Sequence, residues 1–539
     1  MNISKAMRTA ATLLVVRDSP SGMEVLMLRR PERAGDLYSG ACVFPGGVVE
    51  RYDRNLYACC AGVDDSAACR RLGVSEHGLE YFVAAIRECF EEAGILFAYQ
   101  GDGAMADPAT LTGETDFAEI CRKFDLCLAV DRLAYHSHWL TPPGLPKRFD
   151  TRFFLAIAPA DQTVRLDEHE AVDHYWLRPD EALARRLELK LRPATRRTLE
   201  TLAAFATADE CYQHALKSRR IEVQIPRRGR GSSGERTLLP DEPAYAEIAR
   251  LDPDGRADVA YEIEHGVALR LSERVIRITA ANGNMMTGPG TNSYLVGGGK
   301  RNEWAVIDPG PDMAAHVQQI VAAAAGTIRW IFVTHTHRDH SPAAAMLKSL
   351  TGARVHGQRA PDQDWQDHAF QPDYVPSHGE RFAVGEDATL RVIHTPGHAS
   401  NHLCYLLEEE KTLFTGDHVM QGSSVVITPP DGDMAAYLAS LQALLREELA
   451  WLAPGHGHLM NRPHEVIEKT IAHRLMREIK VINTLRAMSP VDSDALLIRV
   501  YDDVPVRMHP VAKRSLLAHL IKLAHGGITL ERNGLWCIL

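Results

Sequence analysis

The stretch WIFVTHTHRDHSPAA (330–344) packs three histidines and an aspartate into six residues directly after an apolar run. Imidazole and carboxylate suit zinc and similar divalent ions. In an extended chain alternate side chains share a face, so His335 and His337 can address one ion together. Asp339 and His340, past the turn, can address a second. Four side chains cannot complete two sites, so the remaining ligands must come from distant parts of the chain. A fold that meets this demand brings several strand ends to one place, as layered α/β architectures do.

The chain supplies such positions downstream. HTPGHASNH offers His398 after a Pro-Gly turn, LFTGDHV offers Asp417 at the end of an apolar strand, and LAPGHGH offers His456 in another glycine turn. WAVIDPG puts Asp308 at a similar strand end, suited to supporting a ligand. A lone histidine near a strand end is usually only hydrogen-bonded. A structural zinc site is usually rich in cysteine, and no cysteine takes part here. The pattern therefore points to an open, catalytic metal site.

Around these motifs the chain alternates apolar strand runs with helical stretches. TAATLLVV and EVLMLRR pair across RDSPSG, and FDTRFFLAIA is a further strand. IPRRGRGSSGERT (225–237) is a linker or exposed hairpin. The length of 539 residues suggests three or four domains. The expected boundaries are 1–220, a connector at 221–264, an α/β domain at 265–474 and a small domain at 475–539. The net charge of −10 argues against a general nucleic-acid binder. Ten scattered cysteines without a CxxC pair are expected to be reduced thiols. With no signal-like start and no long apolar run, the expectation is a cytoplasmic protein without membrane contact.

Residues 265–470 resemble the metallo-β-lactamase-fold hydrolases, through Asp308, the HxHxDH set, His398, Asp417 and His456 in that order. The resemblance implies an αββα sandwich with a dinuclear centre of two Zn²⁺, or Mn or Fe. One ion would take His335, His337, His398 and Asp417, the other Asp339, His340, His456 and the shared Asp417. Asp339 would orient the attacking water, and His402 would either donate to a substrate oxygen or make a structural hydrogen bond. AHRLMREIKVINTL and LLAHLIKLAHGGITL resemble the winged-helix tail of a branch that includes a single-strand endoribonuclease. Lys513, Arg514 and Lys522 could there touch phosphates, although Asp492, Asp494, Asp502 and Asp503 dilute the charge.

The front of the chain carries a second chemistry. In AAIRECFEEAGILF, Arg87, Glu88, Glu91 and Glu92 stack on one helical face, and Gly94 can end the helix. Clustered carboxylates repel unless solvated or bridged by a hard cation such as Mg²⁺ or Mn²⁺. With GACVFPGGVVE upstream, they resemble the Nudix hydrolases, an α/β/α sandwich. The resemblance implies metal binding by Glu88, Glu91 and Glu92, each also a catalytic candidate, with Arg87, Gly46 and Gly47 supporting. The box departs from the usual one: residues 51–82 interrupt it, and Asp53 and Glu80 are only candidates for its first glutamate. Asp167, Glu168 and Glu170 form an acidic loop that could supply a base or be a solvated turn. HWLTPPGLPKRFDTRFFLA and the interruption resemble the coenzyme A diphosphatase branch, nudix motif nineteen.

The expectation is a multidomain α/β and α+β protein with two metal-dependent hydrolases. The Nudix half would cleave a diphosphate bridge in a coenzyme A-type compound or at an RNA end, and so act on a small nucleotide-type substrate. The rear half would cleave a phosphodiester in single-stranded RNA, or a thioester. The alternative is a thioesterase or lactonase governed by a non-catalytic, nucleotide-sensing Nudix module. Oligomeric state stays open.

Overall fold

The computed structural model describes residues 7–33, 39–111, 116–167, 169–217, 220–361 and 365–539. The chain divides into two compact units. The first comprises Met1–Gly229, Glu235–Pro240 and Pro253–Ala257; the second comprises Arg230–Gly234, Asp241–Asp252 and Asp258–Leu539.

In the first unit the strand Arg8–Ser19 runs antiparallel to Gly22–Arg29 and parallel to Phe149–Ile157 within a mixed sheet. Its side chains alternate between faces. Leu13 and Val15 meet Phe82, Val83 and Ile86 of the helix Leu79–Ala93 on one side. Leu14 and Val16 meet Leu199 and Leu202 of the helix Pro193–Leu202 on the other. A strand buried on both faces needs this continuous apolar run, and the result is an α/β/α sandwich. The helix Leu79–Ala93 ends at Gly94 in the left-handed region (φ 68°), whose N–H closes onto Phe90 O. It presents its polar face opposite Phe82 and Ile86, so the glutamates point away from the core. The interruption folds as a 3-10 stretch, Arg51–Cys59, followed by the helix Asp65–Leu72.

The second unit is built on two facing sheets, one of six strands and one of five. Val296, Ile307 and Phe332 from the first pack against Val392, Leu403 and Phe414 from the second. Val317, Ile320 and Leu347 cover the outer face of the first sheet, and Tyr437 and Leu441 that of the second. This is an αββα sandwich. The expected ligands follow strand ends: Asp308 follows Glu303–Ile307, His335 follows Thr327–Phe332, and His398 follows Ala388–His394. Asp417 follows Thr412–Gly416, and His456 follows Trp451–Pro454.

The C-terminal region packs the helices Ser493–Val500 and His509–His525 with a small sheet around Leu496, Leu516 and Trp536. One helix, Pro463–Met488, enters it from the sandwich and passes through residue 474, where the sequence reading placed a boundary. No cap or glycine interrupts its helical pattern there. The stretch read as linker or hairpin folds as the hairpin Arg227–Gly231 and Gly234–Leu238.

Candidate metal centres

Three imidazole nitrogens converge in the second unit. His335 Nε2 and His398 Nε2 each lie 3.0 Å from His337 Nδ1. Their other ring nitrogens are already engaged. His398 Nδ1 donates to Val426 O (2.7 Å), and His335 Nδ1 meets Thr334 Oγ1 at 3.0 Å. The Thr334 hydroxyl itself donates to Asp308 Oδ2 (2.8 Å), so it accepts from His335. Both Nε2 atoms therefore carry lone pairs, and one proton on His337 Nδ1 could satisfy only one of them. A cation satisfies all three, and the donor set suits zinc.

A second group lies alongside. Asp339, His340, Asp417 and His456 bring one ligand atom each within 4.8 Å of one another. His340 Nδ1 donates to Asp308 Oδ2 (2.9 Å) and His456 Nδ1 to Gly290 O (3.1 Å), which turns both Nε2 atoms inward. Those Nε2 atoms and Asp417 Oδ1 are buried without hydrogen-bond partners, 3.3–3.4 Å apart. Asp417 faces both groups: Oδ1 toward His340 and His456, Oδ2 toward His398 Nε2 at 3.8 Å. Gly455 permits this approach, since a Cβ there would stand 2.7 Å from Asp417 Oδ1. Asp308 reaches Thr334 and His340 from a left-handed backbone (φ 51°), a strained state for a non-glycine residue.

The electrostatics of the two groups differ. Burial and neighbouring imidazoles hold His335 well below the ordinary histidine range and His337 at about 3, so both are neutral and ligand-ready. At His456 burial acts the same way, but Asp417 and Asp339 outweigh it and raise the imidazole to about 10. The second group attracts positive charge, which is what a cation between Asp339 and Asp417 would supply.

In the first unit Glu88, Glu92 and Glu170 converge within 4.8 Å. Gly46 N–H donates to Glu92 Oε2 (2.9 Å), and a Cβ on Gly47 would fall 2.3 Å from the Glu88 carboxylate. The glycines thus let the loop press onto the glutamates. Arg87 donates to Glu88 (2.7 Å) and to Asp53 (2.8 Å). Burial raises Glu88 to about 7 and Glu92 to about 8, with Glu170 adding repulsion at both. A hard cation relieves such a cluster, and the all-oxygen donor set fits Mg²⁺ or Mn²⁺.

The family comparisons agree with this geometry. The family model described as the metallo-beta-lactamase superfamily matches residues 286–456. The Beta-lactamase-like protein 2 homolog of Drosophila melanogaster is 31% identical over 279 residues, covering 48% of this chain and 90% of that protein. The chain belongs to the metallo-β-lactamase superfamily.

Two further domains accompany the metallo-β-lactamase domain. Residues 70–194 match the NUDT19 Nudix domain, and 493–536 match the beta-lactamase associated winged helix domain. The chain is similar to an Atrochrysone carboxyl ACP thioesterase of Aspergillus chevalieri, 35% identical over 224 residues, covering 40% of this chain and 67% of that one. It is also similar to a NUDIX hydrolase structure from Alicyclobacillus acidocaldarius, at 27% identity and TM-score 0.32, covering 39% of this chain and 97% of that one. With both catalytic families present, the chain is a hydrolase.

Several sequence expectations change in detail. His402 does not reach the opening of the metallo-β-lactamase site. It is fully buried, its ring 5.0 Å from that of His335, and its Nδ1 lies 2.9 Å from Thr395 Oγ1. Its ring stands behind that of His335, and its Nε2 is buried without a hydrogen-bond partner. Glu91 stands outside the carboxylate trio and is held by Arg87, one turn earlier, at 2.9 Å. Asp53 is spent on Arg87 and Glu80 on Arg54, so neither completes the Nudix box; Glu170 from the acidic loop joins instead. Glu168 lies outside the described residues. On the winged helix, Lys513 is paired with Asp494 (2.5 Å) and Lys522 with Glu478 (2.7 Å). Among the described residues no helix is long and apolar enough to cross a membrane.

Sequence reasoning missed two features. Glu247 is a buried carboxylate bound by Arg277 (2.6 and 2.9 Å) and by His458 Nδ1 (3.2 Å), two residues from His456. No motif marks it, because its partners are 30 and 211 residues away. The other is a cavity of about 230 Å³ that reaches His398 and Asp417 and whose far wall comes from the winged helix.

Proposed function

We propose that the chain carries two metal-dependent hydrolases: a dinuclear thioester hydrolase in the metallo-β-lactamase domain and a diphosphate hydrolase in the Nudix domain. The observation that carries the first is the cavity beside His398 and Asp417, lined by methionines and by winged-helix apolar side chains. Such a wall suits an acyl group; Arg474 and Arg477 are its only arginines, fewer cations than a polyanionic backbone would call for. The likeness to a thioesterase supports the same reading. The Nudix substrate is then a coenzyme A-type diphosphate, and the two sites would act on the two ends of an acyl-coenzyme A.

His335, His337 and His398 would hold one cation, Asp339, His340 and His456 the other, and Asp417 both. Two such cations would, when bound, supply a water acidic enough to lose its proton near neutral pH and would polarise the acyl carbonyl. Asp339, whose side chain is a quarter exposed, would orient the water and take its proton. The water oxygen then bonds to the acyl carbon, the C–S bond breaks, and the departing thiolate takes up a proton, giving acid and thiol. Asp308 and Thr334 keep the histidine rings in the tautomers that expose bare nitrogens inward. In the Nudix domain Glu88, Glu92 and Glu170 would hold the cations that neutralise the diphosphate, and Arg87 steadies Glu88.

The test is a panel of acyl-coenzyme A, coenzyme A and single-stranded RNA on metal-loaded protein. Thiol release should vanish in His337→Ala and persist in Glu88→Gln. Release of phosphopantetheine should do the opposite. Cleavage of RNA without thiol release would replace the thioester reading with a nuclease one.

A further inference from the structure

The cavity beside the metal centre has an unusual electrostatic composition. Its rim on the sandwich side carries Met285, Met286 and Met420, and its opposite wall carries Tyr501, Val504, Met508 and Val511 of the winged helix. Flexible thioethers and branched side chains favour an apolar ligand body. At about 230 Å³ the space is smaller than the roughly 300–1,000 Å³ common for small-molecule sites, which limits it to a compact group.

Two arginines from the helix Pro463–Met488 also line it. Arg477 is fully compensated, since it donates to both carboxylate oxygens of Asp503 at 2.7 and 2.8 Å. Arg474 is not. Only 3% exposed, it donates to Val425 O and lies over the Tyr437 ring at 5.4 Å. Its Nε is buried without an acceptor, and among the described residues no carboxylate comes within ion-pair distance of it. A buried guanidinium without a counter-charge is costly unless an anion arrives to pair with it. The anion has to come from outside the chain.

We propose that this cavity selects an acyl group with an apolar body and an anionic oxygen, a carboxylate at its distal end, that pairs with Arg474. The winged helix then serves as a specificity wall of the hydrolase. This rests on the thioester reading of the metal centre, but it makes a separate claim about binding. The ligand class is the thioester of a dicarboxylic acid, and hydrolysis would leave the dicarboxylate in the cavity.

Binding of free product acids isolates the claim from catalysis. Octanoate and suberate match in chain length, and each offers one carboxylate to the metal centre. Only suberate has a second for Arg474. Calorimetric titration of full-length, metal-loaded protein should show suberate binding roughly tenfold or more tighter than octanoate. Arg474→Gln should erase that difference, and Arg474→Lys, which keeps the charge, should retain part of it. Met508→Trp should lower kcat/KM for octanoyl thioesters more than for acetyl thioesters. Equal affinity for the two acids in the wild type, or a suberate preference that survives Arg474→Gln, overturns the proposal. If neither thioester is hydrolysed while suberate still binds tighter through Arg474, the thioester reading fails and the anion site stands. Should Arg474→Gln not fold, loss of the suberate preference in folded Arg474→Lys would count against it.

Discussion

The two candidate metal centres reach the same end by opposite means. In the metallo-β-lactamase domain, each inward nitrogen of His335, His340, His398 and His456 is fixed by a hydrogen bond on the other side of its ring. The ligands are neutral or paired, and the geometry is set before a cation binds. In the Nudix domain three carboxylates are pressed together by a glycine loop and an arginine, and burial lifts two of them toward neutral pH. That cluster holds its charge only when a cation shares it. The first centre is built from direction, the second from unresolved repulsion.

The sharpest break in this comparison is Asp417→Asn. As the residue facing both groups, its loss should remove metal from the site and cut thiol release by more than about 100-fold, followed by elemental analysis and a thiol assay. Gly47→Ala should cost about 100-fold in diphosphate hydrolysis, because the new Cβ displaces the Glu88 carboxylate. Unchanged turnover with Mn²⁺ would mean that the loop does not set Glu88. Asp308→Ala touches no cation itself yet should weaken metal binding by about 10–100-fold in a chelator competition. The equivalent removal of a supporting group in the Nudix domain, Asp53→Asn, should weaken Mn²⁺ binding less, since direction matters less there.

The smallest effect is on stability. Glu88 and Glu92 have folded values of about 7 and 8, above the ordinary glutamate value of about 4.3. Their protonated forms favour the folded state, a contribution complete below about pH 4 and lost as pH rises through 7 to 8. Added Mg²⁺ should therefore raise the melting temperature more at about pH 8.5 than at about pH 6, by ~2–4 °C, and Glu92→Gln should flatten that difference. An equal shift at both pH values would show that the trio does not bind the cation.

Much of both domains was legible along the chain. Leu13 to Val16 announced a strand, and the HxHxDH run a candidate metal centre, because period and ligand chemistry are local properties; burial of that strand on both faces came from the packing. What was not legible depended on where distant segments meet. His402 lies in a motif-like setting, and only the packing shows its buried ring standing behind His335. Glu170 belongs to the carboxylate trio and Glu91 does not, and that depends on where the loop carrying Glu170 meets the helix.

Residue types and their spacing by themselves determined that this protein has strand-end imidazoles and acids suited to metal binding, and a helix that carries clustered glutamates. Spacing fixes which side chains share a face within one element, and ligand chemistry follows from their identity. Only the tertiary structure decided that Asp417 faces both histidine groups, that Glu247 clamps His458, and that Arg474 meets an apolar cavity with no counter-charge. Each of these depends on the distance between residues far apart in the chain, which no local periodicity encodes.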